Sequence, residues 1–267
     1  MTDSASPVQA VVVDTPGWRN VKPRIPDTQQ RRQLQSQRQV REIVFGAQDG
    51  ILTTMGIVTG LGAATGNHVT VVITGGLALL AGALSMGVGE FQGGKSERDV
   101  VAATIEMERG EMEAHPQDEF AEQVAYYKTK GFSAEEAHTI VSRLTKNPEI
   151  YLYEMIRDEF GIDPRVADES SLRPAIAMAL AYSVGSVLPI VPYALPISSI
   201  AALIASVALA LVGLFAIGCY AGALSGRRPI ARALEIVAYG VVVFALTLAA
   251  GHFIPPLFGH APVSIGG

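Results

Sequence analysis

Six side chains in the middle of the chain are of types that could hold a divalent metal ion: Glu108, Glu111, Glu119, Glu122, Met155 and Glu159. Glu108 and Glu111 are three residues apart, as are Glu119 and Glu122, so each pair would share one helical face. A helical hairpin turning at Glu113–Pro116 would bring the two pairs together. Met155 and Glu159, four apart, could close the group from another helix. Hard carboxylate oxygens with one thioether suit Fe²⁺ or Mn²⁺, with Zn²⁺ and Co²⁺ as competitors. The competing reading is a solvated acidic face, and spacing alone does not separate the two. Glu106 and Glu113, seven apart, fit the outward-facing remainder. Glu135-Glu136-Ala137-His138 matches the Glu-x-x-His signature of di-iron bundles, but such a site needs two copies and the sequence has one. His115 fits either a secondary ligand or a helix-end residue.

A second group lies in apolar surroundings. Asp49 is the one charge between Ile43 and Ala64, and Met86 and Glu90 share a helical face at the end of another apolar run. An ionisable group within a membrane span costs roughly 2.5–3.5 kcal/mol on insertion scales, so Asp49 and Glu90 are functional candidates by default. Met86 alone would be core filler; beside a buried acid its soft sulfur becomes a candidate ligand for a transition metal.

The elements that must position these groups follow from composition. The chain is 49% hydrophobic and 17% charged, against about 25% charged in a typical soluble domain. Between Lys95 and Glu169 there are 18 acids and 9 bases; the remainder holds 7 acids and 11 bases. An acidic insert therefore interrupts an apolar, slightly basic chain. The expected fold is an all-α membrane protein with five transmembrane helices and a cytoplasmic helical metal-binding insert between spans 2 and 3. Residues 1–40 are expected as a polar, disordered tail, with helix as the alternative from near Gln33; 41–94 carry spans 1 and 2, 95–170 the acidic domain, and 171–267 spans 3 to 5 with a short tail. The spans fall at about Ile43–Ala64, Val69–Phe91, Leu172–Tyr193, Ile197–Leu224 and Ile230–Ile254.

A single helix is expected to run from the second span into the acidic region, followed by helices at about 117–130, 134–146 and 149–160 and a polar linker at 162–170. Ser133-Ala-Glu-Glu136 reads as a capping box, Pro148 as a first-turn proline, and Gly131 and Gly161 as C-terminal stops. His68, after Gly66-Asn67, reads as a solvated turn residue. Basic residues precede span 1, surround the insert and fill the loop Gly226-Arg-Arg-Pro229, while the other loops lack them. That asymmetry places the N-terminus and insert in the cytoplasm and the C-terminus outside. The lone Cys219 excludes a disulfide framework or a cysteine-based zinc site. The opening residues lack a basic region followed by an apolar core, so no cleaved signal peptide is expected. With few bases and an acidic remainder, no nucleic-acid partner is expected.

In its motifs the sequence resembles the vacuolar iron transporter family and its yeast relatives. Arg41-Glu-Ile-Val-Phe-Gly-Ala-Gln-Asp-Gly-Ile-Leu-Thr-Thr-Met-Gly-Ile-Val-Thr-Gly60 is similar to that family's first-helix signature around an Asp-Gly pair. Ala81-Gly-Ala-Leu-Ser-Met-Gly-Val-Gly-Glu-Phe91, followed by Ser96-Glu-Arg-Asp99, resembles its second-helix signature. Tyr182–Pro192 and Gly218–Pro229 are similar to its third- and fourth-helix patterns, although Ala221 stands where a lysine often occurs.

The resemblance implies a homodimer that exchanges cytosolic Fe²⁺ for protons, with its ion pathway between subunits and no enzymatic step. It implies a membrane metal site at Asp49 and Met86 with Glu90 close by. It places Glu108, Glu111, Glu119, Glu122, Met155 and Glu159 in the metal-binding domain. No cofactor is permanently bound on this reading; Fe²⁺, or else Mn²⁺, Zn²⁺ or Co²⁺, is cargo, and the lipid bilayer and protons are the other partners. The expected location is a bacterial-type cytoplasmic membrane, or a vacuolar-type membrane in a eukaryote. The alternatives are a manganese exporter of the same family and a membrane-tethered ferritin-like iron oxidase.

Overall fold

The computed structural model describes residues 29–226 and 228–257, and every element among them is helical. Eight α-helices follow one another: α1 Gln29–Thr65, α2 His68–Ala114, α3 Pro116–Thr129, α4 Ala134–Leu144, α5 Pro148–Phe160, α6 Leu172–Ile190, α7 Ser199–Leu224 and α8 Pro229–Leu257. Most of the expected polar tail lies outside the described residues; α1 begins well before the first apolar residue of the expected span. Helix α2 runs unbroken through the change from apolar to acidic composition, as its lack of proline between His68 and Ala114 allows.

The described residues form two compact units, and the division at Gly93–Gly94 falls inside α2. The first unit, Gly94–Glu169, is built on local signals. Pro116 and Pro148 occupy the first turns of α3 and α5, where a missing N–H costs no hydrogen bond. Ser133 and Glu136 form the reciprocal capping box of α4, and Asn147 accepts from the Ile150 N–H to cap α5. Gly161 ends α5 at φ 65°, a left-handed conformation that glycine adopts without strain. The unit's apolar core joins Val101, Ile105 and Met112 of α2 to Phe120 of α3, Val141 of α4, and Tyr151, Leu152, Met155 and Ile156 of α5. Within the polar linker expected at 162–170 the chain is partly ordered on the core. Pro164–Asp168 form a 3₁₀ turn, capped by Asp163, with Pro164 and Val166 buried against the core.

In the second unit α1 packs against α6, α7 and α8. Ile51, Met55 and Val58 along it are fully buried. Among the described residues, four helical segments are long and apolar enough to cross a membrane: α2, α6 with its 3₁₀ continuation to Ala194, α7 and α8. Helix α1 is not among them, because Gln48, Asp49, Thr53, Thr54 and Thr59 dilute its apolar run. The packing accounts for that composition: Thr54 and Thr59 are fully enclosed by neighbouring helices. A helix surrounded by protein can carry polar groups that a lipid-facing helix cannot.

The approach of α1 to α6 is close. A methyl group on Gly50 would lie 2.2 Å from the Tyr182 carbonyl oxygen, and one on Gly185 would lie 2.2 Å from that of Ala47. Only hydrogen fits at either position. The Ser186 hydroxyl then donates across the contact to the Gly50 carbonyl at 3.2 Å. His68 is not the solvated turn residue expected. It is the first residue of α2, half-buried, with Nδ1 3.0 Å from the Tyr193 carbonyl oxygen and its ring edge-on to Tyr193.

Candidate metal-binding sites

In the acidic unit the sequence sets a glutamate into an apolar stripe. Val101, Ile105, Glu108 and Met112 recur at helical spacing along the buried face of α2, so Glu108 occupies a core position. It is 0% exposed, and neither carboxylate oxygen receives a hydrogen bond from an amide, hydroxyl or cationic donor. Its neighbours are themselves acids: Glu119 and Glu159 lie within proton-sharing range, and Glu111 adds its field. Glu119, on the first turn of α3, is 7% exposed, with Glu122, Glu111 and Glu159 around it. Glu111, Glu122 and Glu159 form the exposed side of the group. The five glutamates selected by spacing therefore face one another across α2, α3 and α5.

Burial, and to a smaller extent repulsion from neighbouring acids, makes Glu108, Glu119 and Glu159 hold their protons. The Glu108 carboxyl is pushed up to about 8 and that of Glu119 to about 7. Glu159 is raised for the same reasons. Ionised carboxylates offer only acceptors, so a proton or a cation must bridge them. Asp158, the residue before Glu159, shows the contrast. It accepts from Gln123 Nε2 at 3.0 Å and Lys130 Nζ at 2.7 Å, which makes it a structural acid. Among the described residues no three acidic, histidine or cysteine side chains are already drawn into the geometry of a metal cage. The arrangement is a cluster of carboxylates, buried at Glu108 and Glu119 and exposed at Glu111, Glu122 and Glu159.

Met155 is placed differently from the glutamates. It is fully buried among apolar residues, on the α5 stripe Tyr151–Met155–Glu159. Tyr151, one turn earlier, feels the charges of Glu119 and Glu108, and its phenol is raised by burial first and by those charges second. Met155 thus lies on the helix between Tyr151 and Glu159, both of which border the glutamate cluster, while its own side chain packs the core. The Glu-x-x-His segment does not join the group: its Glu135 is exposed, the adjacent Glu136 caps α4, and His138 lies edge-on to Phe120, 5.1 Å between ring centroids, beside Ser142. His115 is exposed, 3.9 Å from Asp118.

In the helical bundle Asp49 is half-buried beside Thr53 and Tyr182. The Gly50–Gly185 contact fixes the α1 backbone at this level, so Asp49 is set by main-chain packing on its neighbour. The Tyr182 hydroxyl also reaches α2: a methyl group on Gly82 would lie 2.2 Å from it. Gly82, Met86 and Glu90 share one face of α2 at four-residue spacing. Met86 and Glu90 are half-buried. Tyr182 is thus the side chain that links Asp49 to the α2 face carrying Met86, and nothing in its local sequence singles it out. A tyrosine in an apolar run looks like core; only the crossing of three helices reveals it.

The sequence model of the VIT family matches residues 40–252. The chain is 33% identical over 207 residues to vacuolar iron transporter 1 of Arabidopsis thaliana, covering 77% of this chain and 82% of that one. It is 32% identical over 210 residues to vacuolar iron transporter 1 of Oryza sativa subsp. japonica, with 77% and 81% covered. A more distant relative, the vacuolar iron transporter of Plasmodium falciparum, is 28% identical over 215 residues, with 76% and 77% covered.

Proposed function

The chain belongs to the VIT family, and from that premise we propose that it moves Fe²⁺ out of the cytosol across a membrane in exchange for protons. On this reading α1 joins α2, α6, α7 and α8 as a fifth span, and the acidic unit lies on the cytoplasmic side. Glu108, Glu111, Glu119, Glu122 and Glu159 gather the ion, with Met155 as a neighbouring sulfur donor. Asp49 and Met86 then hold it within the bundle, with Glu90 close by. The pathway lies between two identical subunits, and α2 supplies a face for that contact: Ile73, Leu77, Leu80, Leu84 and Val88 form an exposed apolar stripe at helical spacing.

The observation that carries this reading is Glu108, a fully buried carboxylate with acids for neighbours and no amide, hydroxyl or cationic donor. Such a site costs stability when empty and ionised, and both a proton and a divalent cation relieve it. Proton and metal therefore compete for the same oxygens, which is the elementary coupling an antiporter needs. The same competition at Asp49 would release the ion where protons are abundant. An oxygen-rich donor set does not discriminate strongly against Mn²⁺, which makes manganese the second cargo to test. The ferritin-like oxidase draws no support from His138, whose ring is engaged with Phe120 and Ser142.

The test is uptake of Fe²⁺ into proteoliposomes with and without a pH gradient, with Mn²⁺ and Zn²⁺ as competitors. Flux should rise with the gradient, and Asp49→Ala should abolish it while the protein remains folded. Normal flux in that variant would defeat the mechanism. Metal binding without flux, accompanied by O₂ consumption, would move the function to the acidic unit.

A further inference from the structure

At the end of the bundle where α7 gives way to α8, a cavity of about 280 Å³ opens between helices. Arg41 and Val44 of α1, Leu224 and Ser225 at the end of α7, and Arg232 of α8 line it. Two arginines thus line a space whose other walls are largely aliphatic. Arg232 is held in place by a short network. Its Nη1 donates to Glu235 Oε2 at 2.8 Å, and Glu235 Oε1 accepts from the Tyr239 hydroxyl at 3.0 Å. That pair engages one guanidinium nitrogen and lies at the surface, where such pairs contribute little and can be shared with a ligand. Arg41 is exposed. The Ala221 carbonyl, a potential source of repulsion for an anion, accepts from both the Ser225 N–H and hydroxyl.

The position identifies the ligand further. Helices α7 and α8 are apolar enough to span a bilayer, and their apolar runs stop at Leu224 and resume at Ile230. The arginines therefore stand at the edge of the apolar zone, with Leu224 exposed and Val44 half-buried beside them in the cavity wall. A free anion would have no use for that aliphatic surface. We propose that this cavity binds the phosphate headgroup of an anionic diacyl phospholipid, gripped by Arg41 and Arg232, with its acyl chains running over Val44 and Leu224. Planar guanidinium groups match a phosphate through paired N–H donors. With Glu235 included, the three charged side chains leave one net positive charge for a singly charged phosphodiester. The assignment rests on α7 and α8 being membrane spans and is independent of the transported ion.

The experiment is native mass spectrometry of the full-length protein taken from mixed phosphatidylglycerol and phosphatidylcholine nanodiscs. The wild type should retain phosphatidylglycerol in preference to phosphatidylcholine. The double variant Arg41→Gln/Arg232→Gln should lose roughly thirtyfold in that preference, as expected for two cationic side chains near an anionic surface. Ala221→Leu, which fills the cavity and keeps both arginines, should weaken retention too. Arg228→Gln, the same loss of charge outside the cavity, should not. If the double glutamine variant does not fold, Arg41→Lys/Arg232→Lys keeps the charge and should still reduce retention, because it removes the paired donors. Unchanged retention in the cavity variants, or equal loss in Arg228→Gln, would overturn the proposal in favour of diffuse attraction. Displacement of the lipid by inorganic phosphate alone would overturn the lipid assignment in favour of a free-anion site. Iron flux, measured separately, tests the transport reading and leaves this one untouched.

Discussion

Glu108 is the residue whose chemistry the fold changes most. Its carboxyl is displaced from the ordinary 4.5 to about 8 because folding buries it and surrounds it with acids. The displacement fixes the sign of the pH dependence. Below the unfolded value the group is protonated in folded and unfolded chains alike, and no penalty exists. As pH rises through the ordinary carboxylate range towards about 8, the unfolded chain ionises freely and the folded chain does not. The metal-free protein should therefore lose thermal stability between about pH 5 and about pH 9, and Glu108→Gln should flatten that loss. Parallel melting curves for the two proteins would refute the buried-acid description. Added Fe²⁺ should restore stability most at the alkaline end, where the competing protons are gone. Met155 divides into two testable roles. Met155→Ala should cost about 2–5 kcal/mol as a core cavity. Met155→Leu should cost less than about 1.5 kcal/mol while weakening Zn²⁺ or Co²⁺ binding if the sulfur is a ligand. Unchanged metal titrations in Met155→Leu would leave it a core residue only.

Among the elements, α1 and α6 set the bundle's most demanding contact. Gly50 and Gly185 each stand against a carbonyl oxygen of the other helix, so the cost of a side chain falls on two main chains. Gly185→Ala should destabilise the protein by about 1–3 kcal/mol through overpacking. It should also impair transport on the proposed reading, because Asp49 is carried by the same crossing. Wild-type melting and flux in Gly185→Ala would show that the crossing can relax, contrary to the geometry. Gly76, by contrast, has no neighbour within 4 Å of where a methyl group would stand, and Gly76→Ala should be tolerated. The comparison separates glycines required for approach from one that the local helix would exchange for alanine. In the acidic unit, the Ser133–Glu136 capping box and the Gly161 stop fix where helices begin and end. Ser133→Ala should cost about 1 kcal/mol, a loss readable in the melting of that unit.

For the whole molecule, the exposed apolar stripe of α2 carries the proposed subunit contact. With Cys219 replaced by Ala, a single Leu84→Cys substitution should allow disulfide cross-linking of two chains in a bilayer. A cysteine at Ile204, exposed on α7, should cross-link less. Equal or absent cross-linking at both positions would argue against α2 as the interface.

The helical class, the acidic insert, the unbroken α2 and the bounds of α3, α4 and α5 were legible in the sequence. Their signals are local: hydropathy runs, prolines in first turns, a capping box and a left-handed glycine. The VIT family was legible as well, through the motifs around Asp49 and Met86. Spacing also grouped the five glutamates, because residues three and four apart must share a helical face. What spacing could not say is which of them is buried. Glu108 and Glu122 are alike as letters, and only the packing of α3 and α5 on α2 makes one a core residue and the other a surface one. Tertiary structure alone decided three further matters. It closed residues 162–170 onto the core, drew His68 onto the Tyr193 carbonyl, and set Tyr182 between Asp49 and the Met86 face of α2. Each is a contact between segments far apart in the chain, where no local preference reaches and only the sum of packing and backbone clearance selects a partner.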